Sequence, residues 1–195
     1  MIPTVIPPPS IDIPLIIERI PVQRHTDLEF IRELAARFGY VFYIQPGPAP
    51  FTSTAYWGPP KRIGVPQRAM SVNMGTATNV KSLSFQDNWL PPALVSGLVQ
   101  DRLTNMNIPV LTFVSTRTPL VTQPAILFNF SNNKKVLYDG SGQNVMQAYS
   151  YAQGITDASV DNVVTATGEL DVTRYGGVLQ ARAIVGVRGA GYQHD

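Results

Sequence analysis

The chain has no cysteine among its 195 residues, so no disulfide braces it and no thiolate is available to hold zinc. Histidine is nearly as scarce. His25 and His194 are the only two, and neither belongs to an H-E-x-x-H or comparable ligand spacing, so no metal site is expected. Long apolar runs are missing as well: no stretch approaches the roughly 20 residues that a bilayer-spanning helix needs. Charge is the fourth shortage. Asp, Glu, Lys and Arg make up 14% of the chain, with 15 basic residues against 13 acidic ones and a net charge of +2, well under the roughly 25% of an ordinary soluble domain. Hydrophobic residues nevertheless reach 44%, which gives the chain the means to bury a core and excludes disorder.

The charge deficit carries the first functional inference. Charged residues are depleted in the cores of protein interfaces, so a chain this neutral reads as a subunit of an assembly. Nucleic acid is not an expected partner, because Lys and Arg are scattered and Lys61-Arg62 and Lys134-Lys135 are the only adjacent basic pairs. The 17 Pro and 15 Gly argue against a helical bundle. The opening MIPTVIPPPS lacks a basic n-region and a continuous apolar h-region, so no secretory signal is expected. Residues 1–24 read as a Pro-punctuated extended arm, in which Ile11, Ile13, Leu15 and Ile17 alternate as a strand interrupted at Pro14.

The clearest local signal is HTDLEFIRELAARFGYVFYI (25–44), where Thr26 and Glu29 have the spacing of a capping box and Gly39 stands where a helix ends. Leu28, Ile31, Leu34, Ala35 and Phe38 recur every three or four residues and predict one helix with one buried stripe, leaving Arg32, Glu33 and Arg37 to water. Tyr40 to Ile44 predict a strand directly after it. A long Pro/Gly loop over 45–60 is expected next, then strands near 63–65, 69–74 and 80–87, the last with Leu83 and Phe85 alternating against Ser82, Ser84 and Gln86. Asn88-Trp89-Leu90-Pro91-Pro92 marks a subdomain boundary. Beyond it the pattern predicts strands at 93–100, 110–116 and 125–130, and a turn at Asp139–Gly142. A helix follows over 143–161 on Val145, Ala148, Tyr149, Ala152, Ile155 and Ser159, then strands at 163–172 and 178–187 joined by Arg174-Tyr175-Gly176-Gly177. Gly154 costs that helix up to ~1 kcal/mol relative to Ala and is a candidate break. No internal repeat is present, which excludes a solenoid. The expected fold class is α+β, mainly β, in three parts: an extended arm (1–24), a small α/β domain (25–90) and a β domain with one helix (91–195).

Residues with catalytic chemistry are few. His25 stands just before a helix N-cap and His194 one residue from the end, both positions suited to solvated side chains. Neither G-x-S-x-G nor S-x-x-K occurs in a strand-turn-helix setting, and Ser141 reads as a turn residue. Gly186-Val-Arg-Gly189-Ala-Gly191 lacks the G-x-G-x-x-G order and a following helix, so it reads as a loop at a strand end. Glu169 and Asp171 stand two apart on one predicted strand, hence on one face, and are the pair a cell-wall hydrolase would use. Asp27, Glu29 and Glu33 fall in the first turns of a helix, where negative charge complements the macrodipole. Tyr40, Phe42, Tyr43, Phe51, Tyr56 and Trp57 suit core and interface packing, although Tyr56 and Trp57 are the rings a carbohydrate-binding module would stack on a sugar. No catalytic, cofactor-binding or metal residue is assigned, and no enzymatic activity is expected.

The segment Thr26–Tyr43 (TDLEFIRELAARFGYVFY) closely resembles the S/T-D-L-E-F-x-x-x-L-A-x-x-x-G-Y-x-F-Y stretch of the phage late control protein D family. Further landmarks occur in the family's order: Ala55–Pro60 (AYWGPP), Val80–Gln86 (VKSLSFQ), Thr165–Asp171 (TATGELD) and Gly186–Gly191 (GVRGAG). These are baseplate hub proteins of contractile tails and injection systems, similar to the hub part of type VI spike proteins. The resemblance implies a pair of tail-tube-like β-barrels with a small α/β insertion, of which this chain holds a partial copy with its second barrel incomplete at the C-terminus. It further implies a homo-oligomer, a trimer in the full-length hub, that connects the tail tube protein to the central spike among other baseplate proteins. The expected location is the bacterial cytoplasm during assembly and then the baseplate, without membrane insertion.

Overall fold

The structure, a computed structural model, describes residues 1–9, 22–88, 92–101, 104–120, 134–139, 143–161 and 163–191. These residues are mainly β with three α-helices. The chain divides into two units, each discontinuous in sequence: Met1–Pro60 with Leu90–Arg117 and Gln123–Asp161, and Lys61–Trp89 with Thr118–Thr122 and Asn162–Asp195.

In the first unit, helix α1 (Asp27–Arg37) starts as its sequence requires. Thr26 Oγ1 accepts from the Glu29 N–H, and the Glu29 carboxylate accepts from the Thr26 N–H at 3.1 Å, which completes the capping box. Gly39, at φ +64°, turns the chain out of the helix into strand β2 (Val41–Pro46). That strand pairs antiparallel with β3 (Ser53–Gly58), and β1 (Ile2–Val5) joins the other side of β3 in parallel. The expected loop over 45–60 therefore contains a strand. Prolines at 46, 48, 50, 59 and 60 punctuate the segment so densely that the six residues between them carry no visible pattern. Their N–H and C=O groups are nevertheless taken up by neighbours on both sides.

A second sheet has the order β7 (Asn107–Thr112), β6 (Ala93–Gln100), β8 (Lys134–Asp139), with β6 antiparallel to β7 and parallel to β8. Strand β6 occupies the residues its alternation predicts. Strand β7 begins and ends earlier than expected and includes Pro109, which an edge strand tolerates because its outward side needs no ladder donor. Strand β8 has no counterpart among the expectations. The strands expected at Ile11–Ile17 and 125–130, residues 140–142 of the expected turn, and His194 lie outside the described residues.

Helix α2 (Val145–Asp161) covers one face of this sheet. Val95, Val99, Val110, Ala148 and Ala152 form the core, with Val136, Tyr138, Val145 and Ile155 packed around them. Tyr149, expected on the buried stripe, faces out. The helix runs unbroken through Gly154, and that glycine has another use. A Cβ there would stand 2.6 Å from the Phe38 carbonyl carbon and 2.9 Å from the Arg37 oxygen, so α1 and α2 meet backbone to backbone. The Phe38 ring then meets Tyr151 edge-on at 4.9 Å. Residues 25–60 thus share a unit with Leu90–Arg117 and Gln123–Asp161, whereas the expected division grouped them with 61–90.

In the second unit, β4 (Gln67–Ser71) pairs in parallel with β10 (Val185–Arg188), and β5 (Val80–Asp87) pairs antiparallel with β9 (Val164–Leu170). Asp171 caps the short helix α3 (Val172–Tyr175), which stands where the sequence suggested a plain connection. Tyr175 Oη donates to the Arg68 carbonyl while Arg68 Nη1 donates to the Tyr175 carbonyl, both at 2.7 Å. Only the end of the expected strand 178–187 is a strand. The Gln67 side chain bonds both backbone groups of Gln180, at 2.8 and 3.0 Å, and takes the place of a ladder. Ile63 and Val65 are exposed and form no strand, isolated by Pro60, Gly64 and Pro66. Among the described residues the strands make two three-stranded and two two-stranded sheets, none of them closed, and no helix is long and apolar enough to cross a membrane.

Gly154→Ala tests the helix contact. Propensity alone would stabilise the variant by up to ~1 kcal/mol, but overpacking against fixed backbone costs about 1–3 kcal/mol. Thermal melting is expected to show a net loss of stability, and a higher melting temperature would contradict the contact.

Candidate functional site

The acidic residues singled out from the sequence are each occupied structurally. Glu169 Oε1 pairs with Lys81 Nζ at 2.8 Å on an exposed surface, which raises the Lys81 ammonium above its ordinary pKa. Asp171 Oδ1 accepts the Thr173 and Arg174 N–H groups. The two carboxylates thus serve an ion pair and a helix cap and do not converge on a cleft. Glu33 bonds Arg37 at 2.6 Å, Asp27 accepts from Gln23 Nε2 at 2.6 Å, and Glu29 closes the capping box. His25 is exposed. Gly189, at φ +77°, directs the chain away from the end of β10, in keeping with a strand-end loop. Among the described residues no group of His, Asp and Glu could hold a metal ion.

The sugar-stacking rings are also engaged. Tyr56 is buried, donates to the Pro59 carbonyl at 2.7 Å and packs on Tyr43 at 5.0 Å. Trp57 is half-buried, with Tyr40 edge-on at 5.0 Å and Phe38 at 6.1 Å. Above this cluster the Arg117 guanidinium lies 5.8 Å from the Tyr40 ring centre and donates to the Gly39 carbonyl. A cation is thereby held against the end of α1, where the helix dipole is negative.

The densest polar constellation is one that acid-pair reasoning missed. Asp157, only 5% exposed, accepts at Oδ1 from Ser115 Oγ (2.9 Å), the Thr116 N–H (2.8 Å) and Gln153 Nε2 (3.0 Å), and at Oδ2 from Thr116 Oγ1 (2.5 Å). Gln153 also donates to the Val114 carbonyl, and Thr156 Oγ1 bonds Thr112 Oγ1 at 2.6 Å. The signal was a polar stripe at helical spacing, Gln147, Ser150, Gln153 and Asp157, all buried on α2. Four hydrogen bonds on one carboxylate fix it in place. It clamps the segment after β7 to the helix.

The opposite face of the β7–β6–β8 sheet is open in part: Leu94 on it is buried, while leucines further along are exposed. Side chains alternate along each strand, so Val95, Val99, Val110 and Val136 turn to α2 while Leu98, Leu111 and Leu137 turn away. Leu98 is 62% exposed, Leu111 46% and Leu137 86%, with Phe113 half-exposed beside them. Register aligns Leu111 with Ser96 and Ser96 with Leu137 in one row across the sheet. Contiguous exposed apolar surface is uncommon on proteins that act alone. No protein-family model matches the sequence, and no curated protein matches it.

Two outcomes are expected. Asp157→Ala leaves the buried Gln153 amide without its acceptor, at about 1–3 kcal/mol, and frees the part-buried Ser115 and Thr116 donors, so chemical denaturation should show a loss of about 1 kcal/mol or more; an unchanged midpoint would contradict the clamp. Bonds from Thr26 hold the Glu29 carboxyl below its ordinary pKa. The folded value being depressed, the stability it lends is present above the ordinary value and lost as pH falls through the folded one. The Thr26 amide resonance should therefore titrate with a midpoint below that of an ordinary glutamate, and Thr26→Ala should raise it.

Proposed function

We propose that the chain is a non-enzymatic structural subunit of a baseplate hub, a ring of three copies that connects the tail tube to the central spike of a phage-like contractile tail or injection system. One observation carries the reading: a sheet covered by a helix on one side presents Leu98, Leu111, Phe113 and Leu137 to solvent on the other, in a chain with only 14% charged residues. A subunit in contact with tube, spike and neighbours gives up charged surface on several sides.

The resemblance to the late control protein D family supports the same assignment. Its longest stretch forms α1 and β2, and two of its landmarks, VKSLSFQ and TATGELD, lie on strands β5 and β9, which pair with each other. In this reading the open sheets are arcs of a tube-like barrel completed by further strands, and the ring is assembled in the bacterial cytoplasm before joining the baseplate. The carboxylates of a hydrolase and the rings of a sugar-binding module are committed to caps, ion pairs and core packing, which favours a mechanical role.

Sedimentation of the chain from about 1 to 100 μM tests this. Reversible association to a trimer is expected, and a monomer across the whole range would overturn the proposal.

A further inference from the structure

Lys and Arg are scattered along the sequence, but the second unit concentrates them. Residues 61–86, 118–122 and 172–191 hold seven Lys and Arg and no Asp or Glu. Glu169 and Asp171 lie opposite Lys81 and Arg174. The other five, Lys61, Arg62, Arg68, Arg182 and Arg188, stand on β4, on β10 or in the loops that lead into them.

The fold brings those loops to one end of the β4–β10 pair. The Gln67 N–H donates to the Ile184 carbonyl at 2.8 Å, and the Gln67 side chain holds both backbone groups of Gln180, so residues 61–66 and 178–184 approach the same strand end. Arg62 Nη1 donates to the Thr118 carbonyl at 3.1 Å, which brings residues 118–122 to them. Apolar side chains stand uncovered in all three loops: Ile63, Val65, Leu120 and Val178 are between 62 and 92% exposed. Gly64, between the first two, has nothing within 4 Å of where a Cβ would stand, so this tip projects from the surface.

Aliphatic tips beside cations call for an anionic partner, and the patch itself narrows the class. Residues 61–66, 118–122 and 178–184 contain no aromatic side chain. Nucleic-acid bases therefore find no ring to stack on, and the Trp and Tyr that anchor protein interfaces are missing too. A projecting aliphatic tip would also need a matching pocket in a protein, whereas a lipid surface admits it anywhere. A weak apolar anchor holds a protein stably on a bilayer once a basic patch is added to it, and Lys and Arg near anionic headgroups supply that second attraction.

We infer that this end of the β4–β10 pair binds the surface of an anionic bilayer, with Ile63, Val65, Leu120 and Val178 entering the headgroup boundary and the Lys and Arg around them meeting lipid phosphates. The contact lies on the membrane and does not span it. It goes beyond the ring reading and does not depend on it, since every residue involved belongs to the second unit.

Flotation of the full chain with vesicles of equimolar phosphatidylcholine and phosphatidylglycerol tests this. Binding is expected, at least about tenfold tighter than to phosphatidylcholine alone and weakening as salt is raised. Ile63→Ser with Val65→Ser, and separately Lys61→Gln with Arg182→Gln, should each weaken it at least about tenfold, with circular dichroism melts checking that the variants fold. Should a variant fail to fold, the lipid and salt dependence of the unmodified chain carries the test. Absence of binding to the mixed vesicles would overturn the inference, as would equal binding to the neutral ones. Binding to a duplex DNA oligonucleotide or to polyglutamate without binding to the mixed vesicles would make an anionic polymer the occupant and overturn it as well. Sedimentation without lipid reports on the ring separately, so either reading can fail without the other.

Discussion

Burial of the Asp157 carboxylate is the constraint on which the first unit depends. A sheet of three strands has two faces, and α2 covers only one. What fixes the helix there is polar as well as apolar: Val95, Val99, Val110, Ala148 and Ala152 supply the burial, while Asp157, Gln153 and Thr156 bond the backbone and hydroxyls of residues 112–116. Hydrophobic packing alone tolerates sliding of a helix over a sheet. A buried carboxylate does not, because any displacement strands its donors in a medium that cannot replace them. With α2 so placed, Gly154 meets the end of α1, Arg117 reaches the Gly39 carbonyl, and the leucines of the far face are left to water.

What was legible in the sequence was what is local. The capping box of Thr26 and Glu29, the Gly39 turn, and strands β5 and β6 follow from spacing within a few residues. Strands β3 and β8 were not legible: the prolines around β3 hide its pattern, although it pairs with β2 just before it, and β8 owes its place to β6, distant in sequence. Gly154 read as a weakness in a helix, since close approach of another backbone leaves no trace in local composition. The candidate site shows the same division. Glu169 and Asp171 drew attention as a pair and proved to be an ion-pair partner and a cap, whereas Asp157 stood alone in a helix and proved to be the most heavily bonded acid described.

The scarcity of charge acquires a structural meaning from two apolar features that remain uncovered. The exposed Phe51 at the tip of the β2–β3 loop and the exposed leucines of the far sheet face belong to one unit, and neither improves the fold that carries it. Both are costly for a chain that lives alone, since exposed apolar surface of this kind invites association. For a subunit of an assembly they are surfaces that neighbours can cover.

Concentration-dependent hydrogen–deuterium exchange tests that account most directly, because it reports on the sheet itself. The account predicts that the amides of residues 107–113 and 134–139, on the two strands flanking β6, become more protected as the chain is concentrated while α2, already covered, is unchanged. Exchange in those strands that stays independent of concentration would contradict it.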